Sequence, residues 1–222
     1  MKKEARKLLK EIYGYDDFRD GQKVIIHSVL QRRDTLGVMS TGGGKSICYQ
    51  IPALLFRGIT IVISPLISLM KDQVDTLKLV GIKSVYINST LSREEYSDVM
   101  YKIRSGNAKI IYIAPERLAN EKFVSFIRKL DIAMIAVDEA HCISQWGHDF
   151  RKSYLEIPNF VKKIGKPIQM LALTATATSE VRQDIEEKLE MKSSFSYVAG
   201  FDRENIFFKV VKNVVPEAYI VD

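Results

Sequence analysis

Ser40-Thr41-Gly42-Gly43-Gly44-Lys45-Ser46 sets three glycines directly before a lysine and a hydroxyl residue. Such a loop lets the backbone curl until its N–H groups face phosphate oxygens, provided a strand feeds it and a helix follows. Lys45 can then reach β- and γ-phosphates, and the Ser46 hydroxyl can ligate Mg²⁺. The spacing GxxxxGK[ST] fails at its first position, which is Met39. Further along, the apolar run Ile132 to Val137 delivers Asp138-Glu139 to a predicted strand tip. Asp138 suits a metal held through its water shell, and Glu139 suits polarising a water for in-line displacement. Alone, an acidic pair after a strand is most often a solvated turn. Together with the glycine loop it points to phosphoryl chemistry.

A second cluster follows at once. Gln145-Trp146-Gly147-His148-Asp149-Phe150-Arg151 surrounds the only tryptophan with polar residues, which predicts an exposed loop. Trp146 and Phe150 could stack there on nucleotide bases, with Arg151 adding charge or a cation–π contact. His141, Cys142 and His148 lack paired CxxC or HxxxH spacing, so no zinc site is expected. Cys48 and Cys142 are too few for a disulfide framework and read as small buried hydrophobes.

These residues need a frame to hold them. Short β-branched runs alternate with helical stretches along most of the chain, which predicts a doubly wound α/β fold with ligands at the carboxyl ends of a parallel sheet. The predicted strands are Thr35–Met39, Ile59–Ser64, Ser84–Asn88, Lys109–Ala114, Ile132–Asp138 and Ile168–Thr174, with two more at Tyr197–Gly200 and Ile206–Val211. Helices are predicted over Lys3–Tyr13, from Asp20, and over Ser68–Leu79, Ser92–Arg104, Glu121–Leu130 and Ser179–Leu189, with Ser92 and Ser179 as N-caps.

The 222 residues suit one large domain, and 46% hydrophobic content excludes a disordered chain. Lys+Arg of 33 against Asp+Glu of 27 gives a net charge of +6, compatible with a phosphate-bearing partner. No apolar run approaches the ~18–20 residues that span a bilayer. The basic N-terminus runs into Glu11 and Asp16 rather than an apolar segment, so an intracellular protein is expected. Lys2 to Lys10 and Lys162, Lys163 and Lys166 read as solvated faces.

The loop at 40–46, Asp138-Glu139-Ala140-His141 and Leu173-Thr174-Ala175-Thr176-Ala177-Thr178 resemble motifs I, II and III of superfamily-two helicases. The aromatic segment from Cys142 to Arg151 narrows the resemblance to RecQ DNA helicases. Tyr15, Phe18, Arg19, Gly21 and Gln22 resemble that family's motif 0. The resemblance implies an aromatic stacked on adenine, with Arg19 and Gln22 gripping its edge. Ser64 to Gln73 resembles motif Ia and Tyr112 to Leu118, with Arg117, motif Ib, both of which track DNA in such enzymes. His141, Thr174 and Thr176 are implied to couple nucleotide state to DNA contact. Phe201 to Asn205 resembles the end of the first motor lobe, with Asp202 and Glu204 departing from the pattern. Ser40 and Lys152-Ser153 depart where the family carries proline.

The resemblance therefore implies a RecA-like P-loop NTPase lobe over 1–205 and the start of a linker over 206–222. It implies ATP and Mg²⁺ as cofactors, and single-stranded or partly duplex DNA as partner with 3′–5′ polarity. A second RecA-like lobe with arginine fingers, and zinc and winged-helix modules, have no residues here, so hydrolysis by this segment alone is expected to be poor. A cytoplasmic location, nucleoid-associated in a bacterium or nuclear in a eukaryote, goes with that function. A regulatory nucleotide-binding module and an RNA helicase of the DEAH or DEAD type are the alternatives.

Overall fold

A computed structural model describes residues 1–200. Seven strands form one parallel sheet: β1 (Thr35–Val38), β2 (Ile59–Ile63), β3 (Ser84–Ile87), β4 (Ile110–Ile113), β5 (Ile132–Val137), β6 (Gln169–Thr174) and β7 (Phe195–Val198), in the order β3-β4-β2-β5-β6-β1-β7. Every pairing among them is parallel. The nearly unbroken apolar strands are those expected when helices cover both faces.

Side chains alternate across the sheet and so divide the core in two. Leu36, Val38, Ile61, Ile63, Ile135 and Val137 face one layer. That layer is completed by α5 (Arg93–Arg104), α6 (Glu121–Ile127), α7 (Glu156–Ile164) and α8 (Ser179–Lys188). Val62, Met134, Ala136, Leu171 and Leu173 face the other. There α1 (Lys2–Leu8), α2 (Asp20–Leu30), α3 (Ile47–Leu55) and α4 (Ile67–Leu79) pack. Each fully buried Leu or Ile contributes ~1.5–3 kcal/mol, so this two-sided burial fixes which strand ends meet far more firmly than any surface ion pair could.

Most predicted elements recur, with their ends moved. Met39, Ser64, Asn88 and Asp138 fall just beyond their strands, because the chain is already turning toward the carboxyl edge there. The first helix changes at Leu9 to a π-helical turn ending at Gly14, which adopts a left-handed conformation. Ser92 caps α5 with a full capping box, whereas the cap of α8 is Thr178, not Ser179: its hydroxyl accepts the Val181 N–H. The sequence prediction passed over α7 entirely. Phe201–Asn205, the predicted strand Ile206–Val211 and the proposed linker lie outside the described residues. Among the described residues no helix is long and apolar enough to cross a membrane.

Candidate nucleotide site and its link to the aromatic loop

The glycine loop leaves the carboxyl end of β1, and α3 begins at Ile47, just after Lys45 and Ser46. Gly42 and Gly44 both take left-handed φ values, +79° and +77°. At Gly44 a Cβ would also lie 2.2 Å from the Gln22 side-chain nitrogen, so a side chain there would be strained by the backbone conformation and would push Gln22 off the loop. Thr41 and Gly42 are exposed at the crest of the loop, with Gly43, Gly44, Lys45 and Ser46 half-buried behind them.

The start of α2 sits directly on this loop. Gln22 is buried, its amide donating to Gly44 O at 3.1 Å and Gly43 O at 3.4 Å while its carbonyl accepts the Arg19 N–H at 3.0 Å. Arg19 Nη1 donates to Gly42 O. In this conformation the polar groups expected to grip an adenine edge are instead engaged by the loop. Tyr15 is exposed nearby in sequence, its ring free to stack.

Lys45 Nζ donates to Met39 O at 3.4 Å and acts electrostatically on both carboxylates at the tip of β5. Asp138 is buried, with Oδ1 accepting the Glu139 N–H at 3.0 Å and Ser64 Oγ 3.5 Å from Oδ2. Burial, then the Glu139 charge, pushes its pKa from 3.8 up to about 6. Glu139 goes the opposite way: the hydrogen bond from His141, reinforced by Lys45, holds its carboxyl below the usual range despite partial burial. Two adjacent carboxylates are thus driven apart, the pattern that separates a base from its neighbour. Glu139 also occupies a left-handed conformation at φ +46°, uncommon for a non-glycine residue and a mark of functional sites.

From Glu139 a hydrogen-bonded path leads away. His141 Nδ1 lies 3.3 Å from Glu139 Oε2 and 2.8 Å from Thr174 Oγ1, and Thr174 Oγ1 donates to Thr176 O at 3.1 Å. A hydrogen on His141 Nδ1 would be shared between the Glu139 carboxylate and the Thr174 hydroxyl. The His141 ring stacks on His148, with centroids 4.3 Å apart. His148 belongs to the aromatic loop, so Glu139 and that loop are in physical contact.

The loop itself is built tightly. Arg151 N donates to Cys142 O at 2.8 Å, closing it, and the Arg151 guanidinium binds Asp149 Oδ2 and reaches Pro65 O at 3.1 Å. A Cβ on Gly147 would lie 2.6 Å from His141 O, so the backbone can pass there only without a side chain. Trp146 is left 80% exposed and Phe150 half-exposed, as an exposed stacking loop requires. A cleft of about 490 Å³ separates Trp146 and His148 from Thr176 and Arg182.

Other predicted residues are placed differently. Ser64, expected along a DNA track, is only 1% exposed, and its hydroxyl faces Asp138. The Arg117 guanidinium lies over Tyr96 and near Phe123 rather than projecting freely. Sequence reasoning missed Tyr154, whose buried hydroxyl donates to Asp138 O at 2.8 Å and anchors the acidic pair. A tyrosine inside a short helical turn has no spacing signature; only the need of a buried hydroxyl for a partner hints at it. Gln50 was missed too, and it joins Tyr13 Oη at 2.7 Å to Gln73 at 2.9 Å.

The donors fit a hard divalent cation. Asp138 is a carboxylate whose charge is opposed by burial and by Glu139, and the Ser46 hydroxyl ends the phosphate loop, an all-oxygen set suited to Mg²⁺. His141, Cys142 and Asp149 do cluster within 4.8 Å, but Arg151 already holds Asp149 and burial pushes the Cys142 thiol up to about 12.

Residues 19–185 match the DEAD/DEAH box helicase family. ATP-dependent DNA helicase RecQ of Bacillus subtilis (strain 168) is 49% identical over 217 residues, 97% of this chain and 37% of that protein. The protein of the same name in Pasteurella multocida (strain Pm70) is 45% identical, across 97% of this chain and 34% of its own length. This chain thus spans about a third of the length of these curated relatives. Among solved structures, Mycobacterium smegmatis helicase Lhr bound to single-stranded DNA and AMP-PNP superposes with a TM-score of 0.70 at 13% identity, covering 88% of this chain and 27% of that one. That likeness concerns the fold alone.

Proposed function

Because the chain belongs to the DEAD/DEAH box helicase family, we propose that its phosphate loop and acidic pair form the nucleotide-binding half of an ATP-dependent DNA helicase motor, with the aromatic loop as part of a single-strand track. The observation that carries this reading is the path from Glu139 through His141 to Thr174 and His148, which ties the hydrolytic carboxylate to the loop presenting Trp146. The similarity to RecQ proteins supports DNA rather than RNA as the polymer.

In this reading Lys45 and the N–H groups of residues 42–46 hold the β- and γ-phosphates. Nucleotide entry releases Gln22 and Arg19 from the loop carbonyls, freeing them for the base beside Tyr15. Ser46 and Asp138 would hold Mg²⁺, which when bound would neutralise charge on the phosphate oxygens. Glu139, kept ionised by His141, accepts a proton from the water that attacks the γ-phosphorus in line, and ADP leaves. Base stacking on Trp146 and Phe150 moves His148, and through the stacked rings alters the His141 to Glu139 contact. Completion of the site by arginines from a further lobe, and 3′–5′ polarity, rest on the RecQ resemblance. Such arginines are worth ~10³–10⁵ in rate in comparable enzymes, so this chain alone turns over ATP very slowly.

The test is nucleotide binding by this chain, read by displacement of a fluorescent ATP analogue with Mg²⁺. Lys45→Ala should abolish it, while Glu139→Gln should leave it intact. Equal binding by the parent and Lys45→Ala would remove the phosphate loop from the account.

A further inference from the structure

At the end of the sheet opposite the nucleotide loop lies a cleft of about 1120 Å³ at the amino ends of the central strands. Every loop entering a strand from this end carries a cation: Arg32 and Arg33 before β1, Arg57 before β2, Lys83 before β3, Lys109 before β4, Lys129 before β5, Lys166 before β6 and Lys192 before β7. Cations are expected near helix carboxyl termini, where they complement the dipole, so their presence alone proves little. What they bind decides the matter.

Several are spent in the way the dipole explanation requires. Lys109 Nζ donates to Phe56 O and Gly58 O, and Arg32 donates to Ala133 O at 2.9 Å while lying 3.5 Å over Phe56. Lys162 pairs with Glu190. Arg57, Lys166 and Lys192, which line the cleft, are different, as is Lys129 outside it. Their side chains are exposed and make no ion pair or hydrogen bond among the described residues. The carboxylate of Asp34 is held in place by the backbone N–H groups of Met170 and Lys192 and forms no ion pair with these side chains, although its charge offsets part of theirs. Of the lining acids Glu190 pairs with Lys162, whereas Asp34 and Asp131 have no ion pair, and Asp131 stands close enough to Lys109 to favour that lysine's charge.

The sheet order puts the free cations in a row. Arg57 enters β2, Lys166 enters β6 two strands away, and Lys192 enters β7 two strands further. Four spacings of about 4.8 Å make the row roughly 19 Å long. A line of unspent positive charge fits a linear polyanion, and duplex DNA offers one charge per ~1.7 Å of axis. The aromatic rings at this end do not serve bases: Phe56 lies under Arg32 and Phe195 under Arg33. Contact with phosphates alone, without stacking, suits a duplex better than a single strand. We propose that the amino end of the sheet, through Arg57, Lys166 and Lys192, is a second nucleic-acid contact that holds the phosphate backbone of duplex DNA without regard to sequence.

The inference stands apart from the nucleotide site, and its test needs no hydrolysis. Binding of a blunt duplex to this chain is followed by fluorescence anisotropy across a salt series. The triple variant Arg57→Gln/Lys166→Gln/Lys192→Gln should weaken binding roughly tenfold or more at low salt and flatten the log K against log salt slope by about 2–3. A control with the same charge change elsewhere, Lys2→Gln/Lys3→Gln/Lys7→Gln, should alter neither by a comparable amount. All three positions in the test variant are exposed, so an unchanged melting temperature is expected and is measured alongside. The proposal is overturned if the slope stays at the parent value, if the control variant loses as much, or if the parent does not bind duplex. It is equally overturned if poly-glutamate of matched charge competes at lower concentration than DNA, because the row would then serve an acidic protein.

Discussion

Asp138 and Glu139 are neighbours in sequence with opposite fates, and the difference can be titrated. In the unfolded chain Asp138 ionises near 3.8, and in the fold at about 6. Between those values the native state holds more proton than the unfolded one, so this group's effect on stability becomes less favourable as pH rises through that window, and the cost is complete above about pH 6. Asp138→Asn should therefore raise the melting temperature at pH 8 without metal by roughly 6–12 °C, for a relief on the order of 3 kcal/mol. The advantage should vanish below about pH 4. A melting temperature lowered at pH 8 would mean that Asp138 is not a strained carboxylate. Glu139 carries the complementary expectation: Glu139→Gln in a chain competent for turnover should lose ~10²–10⁴ in hydrolysis and keep nucleotide affinity. Single-turnover kinetics with binding measured in parallel separate the two. Lys45, Ser46, Asp138 and Glu139 could be proposed from the sequence because the proposal depends on residue type at fixed offsets. Gln22 was legible as a contact residue but not in its engagement with the loop, which depends on how close α2 lies to Gly44.

Elements matter here for where they end. β1, β5 and β6 finish side by side, so Lys45, Glu139 and Thr174 meet although the chain separates them widely. That meeting follows from parallel pairing and was visible in the alternation of apolar runs and helical stretches. The support behind it was not. Tyr154 reaches Asp138 O from the 3₁₀ turn before α7, a region whose mixture of lysines, prolines and apolar residues gave no clean period. Tyr154→Phe should cost about 1–3 kcal/mol in stability, since it leaves a buried carbonyl without its donor. It should also reduce turnover more than nucleotide affinity; thermal melts and a comparison of kcat with KM report each part. At the aromatic loop, Gly147→Ala forces a backbone shift against His141 O. It should disrupt DNA stimulation while leaving nucleotide binding near the parental value. Loss of nucleotide binding in that variant would show that the loop and the phosphate site are not separable.

For the whole molecule, the two ends of one sheet carry different business. The carboxyl end gathers the phosphate loop, the acidic pair and the aromatic loop, and the amino end presents the row of free cations. Fold class was readable because both faces of the sheet are covered, which makes the strands apolar throughout. The cationic row was not, since Arg57, Lys166 and Lys192 lie far apart in sequence and only strand order lines them up. Trp146, the sole tryptophan and 80% exposed, serves as a reporter: its emission should be that of a solvated indole and should be quenched by single-stranded DNA as bases stack on it. Quenching absent at saturating DNA would take the aromatic loop out of the track.

The most direct measurement is ATP turnover with single-stranded DNA, by this chain and by a longer protein containing it, each as parent and as Lys45→Ala. The account predicts DNA-stimulated turnover in the longer protein only, abolished by Lys45→Ala. Turnover by this chain alone that responds to DNA and ignores Lys45→Ala would contradict it.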